Sequence, residues 1–239
     1  MSIIIVIPAR YDSKRLPGKV LLKETGKTVL EHTWDQTNKN THRLIATDDR
    51  RIWHECQRFL SFWPVAVAAV MTSKKHPTGT DRVAEAVRNL PYDLVVNVQA
   101  DEPEIDPASI DKLIAEMEQT GAEMGTLGAT KIPANNLGQV KVAVDDAGFA
   151  SYFTRSQVDG TEKIKILKHI GVYAYRHETL MRIADMEQTL GETMHSLEQL
   201  RALNNGIKIR VVEVPESHQG IDTREDYDAF VKRWGEKHA

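Results

Sequence analysis

The sequence predicts an α/β fold in which a mostly parallel central sheet is covered by helices and carries a small β-rich extension at about residues 124–176. Three observations carry this expectation. Aliphatic runs at Ile3–Ile7 and Leu94–Val98, with shorter ones at Arg43–Ala46 and Val65–Val70, have the continuous apolar character of strands buried on both faces. Helical patterns alternate with these strands four times, which is the order of a parallel sheet with right-handed crossovers. After Gly121 the pattern changes to strand-like stretches with few helices between them.

Each element has a local reason. Ile3–Ile7 ends at Pro8 and leads into a loop closed by Pro17 and Gly18. Thr28-Val-Leu-Glu31 has the form of a capping box and opens a helix through His32 and Trp34 toward Asn38. Arg43–Ala46 ends in Thr47-Asp48-Asp49, where Asp48 is expected to cap the helix through Ile52, Trp53, Cys56 and Phe59. Val65–Val70 leads through the loop Met71–Gly79 to a helix from Thr80 to Leu90, with Thr80 as its expected cap. Leu94–Val98 is almost purely aliphatic and belongs at the sheet's centre. Pro107 suits the first turn of a helix through Glu118, because its missing N–H has no partner there to lose. Met124–Ile132, Val140–Val144, Phe149–Phe153 and His169–Tyr175 read as strands of the extension. Helices follow at Glu178–Met186 and Ser196–Asn204, then a strand at Lys208–Val214. Thr223, with Asp226 facing back, caps a terminal helix. No internal repeat, low-complexity tract or clear linker divides the 239 residues, so one domain spanning 1–239 is expected.

Composition excludes several classes of function. The formal net charge of −3 argues against a general nucleic-acid binder, which carries a strong basic excess. No apolar stretch approaches the length of a membrane span, and no signal-peptide pattern opens the sequence, so a cytoplasmic protein is expected. The single cysteine, Cys56, cannot form an intrachain disulfide or a multi-thiolate zinc site. Chemistry must then come from oxygen and nitrogen groups.

The cations are local. Arg10, Lys14, Arg15 and Lys19 follow the first strand, in the position where open α/β sheets bind ligands. The loop suits a polyanion, although a solvated basic connector has the same composition. Gln99-Ala100-Asp101-Glu102 follows the central strand and should face the same crevice. A carboxylate beside phosphates suggests Mg²⁺, which takes one or two carboxylates together with phosphate oxygens and water. An acidic turn is the alternative for Asp101 and Glu102, and helix capping is the alternative for Asp222. The Met71–Arg82 loop, rich in hydroxyls and backbone donors, could seat a nucleobase. Glu198 and Gln199 begin a helix, where polar residues ordinarily face solvent.

Taken in order, IPARYDSKRLPGK, ATDD, MTS…TGTDR, VNVQADEP, HIGVYAYR, LEQLRAL and GIDTREDYD closely resemble the bacterial 3-deoxy-manno-octulosonate (Kdo) cytidylyltransferases over nearly the whole chain. The resemblance implies a nucleotide-diphospho-sugar transferase-like fold and a Mg²⁺-dependent cytoplasmic homodimer. It also implies CTP and Kdo as substrates, giving CMP-Kdo and pyrophosphate for lipopolysaccharide synthesis. Position by position it makes Arg10, Arg15 and Lys19 the triphosphate cations, with Arg10, Lys19 and Asp101 catalytic. Asp101 and Asp222 become metal ligands. Gln99 with Thr78, Gly79, Thr80, Asp81 and Arg82 would surround cytidine, and Arg155, His169, Tyr173, Glu198 and Gln199 would face the sugar acid. The chain departs from the family at Val20, where Pro is usual, and at Ala100, where Gly is usual. It also lacks the common Ile-Pro-Trp after Arg155 and has a shorter stretch before His169. Those departures keep a different sugar acid, or a sugar 1-phosphate, in view as the acceptor. A non-catalytic nucleotide-binding module of the same fold is the other alternative.

Overall fold

The computed structural model describes residues 1–38, 40–60, 69–133, 136–158, 164–215 and 220–238. In chain order the first half contains β1 (Ile3–Ala9), a 3-10 turn (Lys19–Leu21), α1 (Val29–Asp35), β2 (His42–Thr47), α2 (Arg50–Leu60), β3 (Ala69–Met71), α3 (Gly79–Val87), β4 (Leu94–Val98) and α4 (Pro107–Thr120). The second half contains β5 (Met124–Ala129), β6 (Lys141–Val144), β7 (Ala150–Thr154), β8 (Lys165–Arg176), α5 (His177–Asp185), α6 (Leu190–His195), α7 (Gln199–Asn204), β9 (Ile209–Val214) and α8 (Arg224–His238). The chain forms two compact units. The first comprises Ile4–Leu90, Asn97–Pro107 and His218–Ala239, and the second Met1–Ile3, Pro91–Val96 and Ala108–Ser217.

In the first unit, β1, β2 and β3 pair in parallel. Their register aligns Ala9 with Thr47 and Thr47 with Met71, so the strands finish level. The loops that follow them therefore leave from one edge of the sheet, which brings the basic loop, Asp48-Asp49 and the Thr72–Thr78 loop together. The aliphatic residues of β1 explain why it forms: Ile5, Val6 and Ile7 are wholly buried. Strand β4, whose last residues Asn97 and Val98 belong to this unit, is buried along all five residues, in keeping with its apolar sequence.

In the second unit, β5 pairs antiparallel with β8 and parallel with β9, and β6 lies between β7 and β8 in antiparallel pairs. Parallel and antiparallel pairing are mixed among the strands after Gly121. The fold is thus mixed α/β, with the parallel strands flanked by helices.

Several local expectations are corrected. Asp48 does not cap α2; the Asp49 carboxylate accepts the Arg51 N–H at 2.9 Å, while Asp48 pairs with Arg82 at 3.0 Å. Thr78, not Thr80, caps α3, because Thr78 has the extended backbone a cap needs and exchanges hydrogen bonds with Asp81. Thr28 caps α1 as expected, but Glu31 reaches Arg58 at 2.8 Å, so only half of that capping box involves side chains in the expected way. Residues 65–68 of the expected third strand lie outside the described residues, and the described strand is Ala69–Met71. The helix expected over Ser196–Asn204 begins at Gln199, and α6 precedes it unforeseen. Ser196 adopts a left-handed conformation (φ 52°) that ends α6, a helix of only six residues whose Leu190 and Met194 are exposed. Thr223 and Asp226 do form the reciprocal cap of α8, with the Thr223 N–H donating to Asp226 at 2.8 Å and the Asp226 N–H to Thr223 at 3.2 Å.

Two features fix the loop before Lys19 and the helix behind it. Gly18 has φ 69° and donates to the Tyr11 carbonyl at 2.9 Å, closing the basic loop. A Cβ there would sit 3.0 Å from the Tyr11 ring, which is itself capped by the Arg51 guanidinium. Behind it, His32 of α1 is buried edge-on against Phe230 and Trp234 of α8, with its Nε2 2.7 Å from the Thr25 hydroxyl. Burial and the nearby Lys27 ammonium lower its pKa to about 4.

Gly18→Ala should destabilise the protein by about 1–2 kcal/mol, because it adds left-handed strain to a steric conflict. The thermal midpoint would then fall by roughly 2–4 °C per kcal/mol for a chain of this size. A wild-type midpoint in that variant would disprove the conformational argument. His32 makes a pH prediction with a definite sign. The folded chain holds the imidazole neutral down to about 4, whereas the unfolded chain takes up a proton near 6.5. Stability from this group is therefore complete above pH 6.5 and declines as pH falls toward 4. His32→Gln should flatten that part of the midpoint-versus-pH curve; an unchanged slope would show that other groups set it.

Candidate active site

Three segments far apart in sequence meet at one ammonium in the first unit. Lys19, 7% exposed, points its Nζ at Asp101 Oδ2 (2.5 Å), the Ile221 carbonyl (2.6 Å) and Asp222 Oδ1 (3.0 Å). Arg15 approaches the other oxygen of Asp222 at 2.6 Å. Burial disfavours the Lys19 charge, but the two aspartates outweigh it by charge and hydrogen bonding and raise its pKa above the ordinary lysine value. Burial likewise works against the Asp222 carboxylate, and Lys19 followed by Arg15 outweighs it, holding the group below the usual carboxylate range.

Local structure fixes each of these groups. The short 3-10 turn after Gly18 carries Lys19 inward, with Val20 buried beside it. The Ala100 carbonyl accepts the Thr33 hydroxyl of α1 at 3.0 Å, and the Asp101 carbonyl accepts the Ile221 N–H at 2.8 Å. Gly220 lets these two segments approach, since a Cβ there would lie 2.8 Å from Glu102 Oε1 and 3.3 Å from the Asp101 carbonyl. The Asp222 N–H donates to Asp226 at 3.0 Å, tying this aspartate to the cap of α8. The methyl of Ala100 is accommodated, the residue being only 4% exposed.

The donor set matches what a hard divalent cation needs. Two carboxylates and a backbone carbonyl, all oxygen, already converge on a single positive charge. Among the described residues no group of three or more His, Cys, Asp or Glu side chains could hold a metal, so the remaining ligands would have to be water or substrate oxygens. Mg²⁺ is bound in just that way, through one or two carboxylates plus phosphates. Arg10, Lys14 and Arg15 are exposed on the same loop.

Beside this centre, Gly79 lies against Gln99: a Cβ on Gly79 would be 3.4 Å from Nε2 and 3.5 Å from Oε1 of that amide. Gln99 Nε2 donates to Asn97 Oδ1 at 3.3 Å, and Asn97 is fully buried with its own Nδ2 unpartnered among the described residues. Thr78 and Asp81 are engaged in the cap of α3, and Thr80 is buried. Arg82 is nearly buried and donates to Thr72 (2.6 Å) and Asp48 (3.0 Å), so it braces the loop.

The second unit gathers the other residue set. Tyr173, buried, donates through its hydroxyl to Gln199 Oε1 at 3.1 Å, while Gln199 Nε2 is buried without a partner among the described residues. Burial and then Glu198 raise the Tyr173 pKa well above the ordinary tyrosine value. His169 stands 5.5 Å from the Tyr173 ring and 3.0 Å from the Thr126 hydroxyl. Burial, helped by the Arg155 charge, lowers its pKa to about 3, so it is a neutral imidazole. Arg155 donates to the carbonyls of Gly138 (2.9 Å) and His195 (3.3 Å). Part of the altered segment after Arg155, residues 159–163, lies outside the described residues.

Sequence reasoning missed the Ile221 carbonyl, Gly220 and Asn97. A backbone oxygen carries no side-chain signal, and Asn97 sits inside an apolar strand. The phase of that strand does offer a clue, because Asn97 is its one polar residue.

Comparison with known proteins assigns the family. Residues 4–209 match the cytidylyltransferase family model. The 3-deoxy-manno-octulosonate cytidylyltransferase of Trichlorobacter lovleyi is 39% identical over 98% of both chains. That of Escherichia coli is 38% identical over 92% of this chain and 91% of the relative. A solved CMP:2-keto-3-deoxy-manno-octonic acid synthetase complexed with CTP has a TM-score of 0.88 and 34% identity, covering 99% of this chain and 100% of the other. A 4-diphosphocytidyl-2C-methyl-D-erythritol synthase from Anaerococcus prevotii, at 15% identity and a TM-score of 0.62, shares the fold. The chain belongs to the cytidylyltransferase family, on its 3-deoxy-manno-octulosonate cytidylyltransferase branch.

Proposed function

We infer that the protein transfers CMP from CTP to the anomeric hydroxyl of Kdo, releasing pyrophosphate and supplying CMP-Kdo for lipopolysaccharide biosynthesis. The observation that carries this reading is similarity along nearly the whole chain to synthetases of that name, one of them solved with CTP. The anomeric oxygen forms a bond to the α-phosphorus, the bond to the bridging oxygen of the β-phosphate breaks, and the hydroxyl proton passes to solvent. Little covalent work is left to the protein, so positioning and charge stabilisation dominate.

In this reading Arg10 and Lys19 stabilise charge developing on the phosphates, and Arg15 holds the leaving pyrophosphate. Mg²⁺ held by Asp101 and Asp222 would neutralise phosphate charge and polarise the phosphoryl oxygens. The amide of Gln99, with Nε2 bound by Asn97, presents Oε1 as an acceptor suited to the exocyclic amine of cytosine. Thr78, Gly79, Thr80, Asp81 and Arg82 shape the loop beside it. Arg155, His169, Tyr173, Glu198 and Gln199 are proposed to contact the sugar acid. The neutral His169 would act there as a hydrogen-bonding group, not as an acid. A Mg²⁺-dependent homodimer working in the cytoplasm completes the proposal; among the described residues no helix is long and apolar enough to cross a membrane. The altered segment after Arg155 favours, as a second reading, a related sugar acid in place of Kdo.

Pyrophosphate release is expected with CTP, Mg²⁺ and Kdo, and should fall sharply when UTP replaces CTP. Release with another sugar acid but not Kdo would select the second reading, and no release with any acid would sink both. Asp101→Asn should lower turnover by about 10²–10³-fold with its circular dichroism unchanged. A folded variant with wild-type turnover would remove Asp101 from the mechanism.

A further inference from the structure

The carboxylate pair of the first unit is arranged around a cation of the chain's own. Of the four carboxylate oxygens on Asp101 and Asp222, three are within ion-pair distance of basic groups. Asp101 Oδ2 and Asp222 Oδ1 both meet the Lys19 ammonium, at 2.5 and 3.0 Å, and Asp222 Oδ2 meets Arg15 at 2.6 Å. The Ile221 carbonyl, the other oxygen directed at this point, also accepts from Lys19, at 2.6 Å.

A metal bound by both aspartates needs an oxygen that Lys19 or Arg15 already holds, because Asp222 Oδ1 is paired with Lys19 and Asp222 Oδ2 with Arg15. Mg²⁺ ligands stand 2.0–2.1 Å from the ion, so an ammonium and a Mg²⁺ sharing these oxygens would be like charges within a few ångströms of each other. Repulsion at such a distance in a half-buried place is weakly screened. The two cations are alternatives.

We propose that Lys19, assisted by Arg15, occupies the cation position between Asp101 and Asp222 before substrate binds, so that divalent metal loads together with the triphosphate and not ahead of it. The incoming polyanion offers Lys19 and Arg15 a stronger partner. Drawing them onto phosphate oxygens frees both carboxylates and supplies the remaining metal ligands in the same event. Lys19 thereby has a positioning role distinct from its contact with the nucleotide: it holds the two aspartates converged while the metal is absent and opposes their mutual repulsion. This inference rests on the proposed CTP- and Mg²⁺-dependent function, and it concerns the order of loading.

The test is metal affinity without nucleotide, using Mn²⁺ read by electron paramagnetic resonance and Mg²⁺ by calorimetry. Lys19→Gln should bind Mn²⁺ at least about tenfold more tightly than wild type, since at least one charge-assisted hydrogen bond no longer has to be broken. Lys19→Arg, which keeps the charge, should stay close to wild type. In the same buffer, Mn²⁺ should raise the thermal midpoint of Lys19→Gln far more than that of wild type. Equal affinities for wild type and Lys19→Gln would overturn the proposal. So would a Lys19→Gln protein that fails to fold in Mn²⁺ as well as without it, because the metal would then not be replacing the ammonium. A variant that folds only in Mn²⁺ supports it. Titration of wild type with CTP present separates the two readings. Binding of metal there, with equal nucleotide-free affinities, leaves the proposed function standing and removes only the order of loading, whereas no metal binding even with CTP removes the Mg²⁺ reading itself.

Discussion

A buried ammonium has to be neutralised where it lies, and the first unit is built so that this happens at Lys19. Its three oxygen partners come from the loop after β4 and the segment before α8, positions 101 and 221–222 in the chain. No local rule brings them together. They meet because the Ala100 carbonyl accepts the Thr33 hydroxyl, the Asp101 carbonyl accepts the Ile221 N–H, and Gly220 leaves room for that approach. Losing the ammonium would leave two carboxylates facing each other, and losing either carboxylate would leave an under-compensated buried charge.

Around that centre, many polar groups are supports. Arg82 braces the loop after β3 through Thr72 and Asp48, and Asp81 completes the cap of α3. Asn97 orients the amide of Gln99 from beneath. The cost of burying these groups is offset by hydrogen bonds among them, which is why they are stiff enough to shape a ligand site. Asn97 Nδ2 and Gln199 Nε2 differ in being buried donors without a partner among the described residues. Each lies beside a residue proposed to meet substrate, or on it, and an unmet donor of this kind costs about 1–3 kcal/mol.

The second unit gathers a different kind of chemistry. His169 is held neutral by burial, and Tyr173 is kept protonated by burial and by Glu198. In the proposed function these neutral donors and acceptors would meet the hydroxyls of a sugar, and the Arg155 guanidinium its acid. The first unit, by contrast, is dense in paired charge.

Sequence alone determined a good deal. The aliphatic runs gave β1 and β4, alternation gave the parallel class, and the Thr28 and Thr223 caps marked helix starts, because these features depend on neighbours within a few residues. The order of seven motifs gave the family. Caps displaced by one or two residues, as at Asp49 and Thr78, escaped because several polar residues compete there and only the backbone chooses among them. Helix α6 escaped because six residues are too few to show a helical periodicity. Four cations on one loop looked alike in the sequence. The family resemblance set Lys14 apart, but only tertiary structure distinguished the others, burying Lys19 between Asp101 and Asp222 while leaving Arg10 exposed. Burial and long-range pairing depend on where distant segments meet, and that is decided by packing.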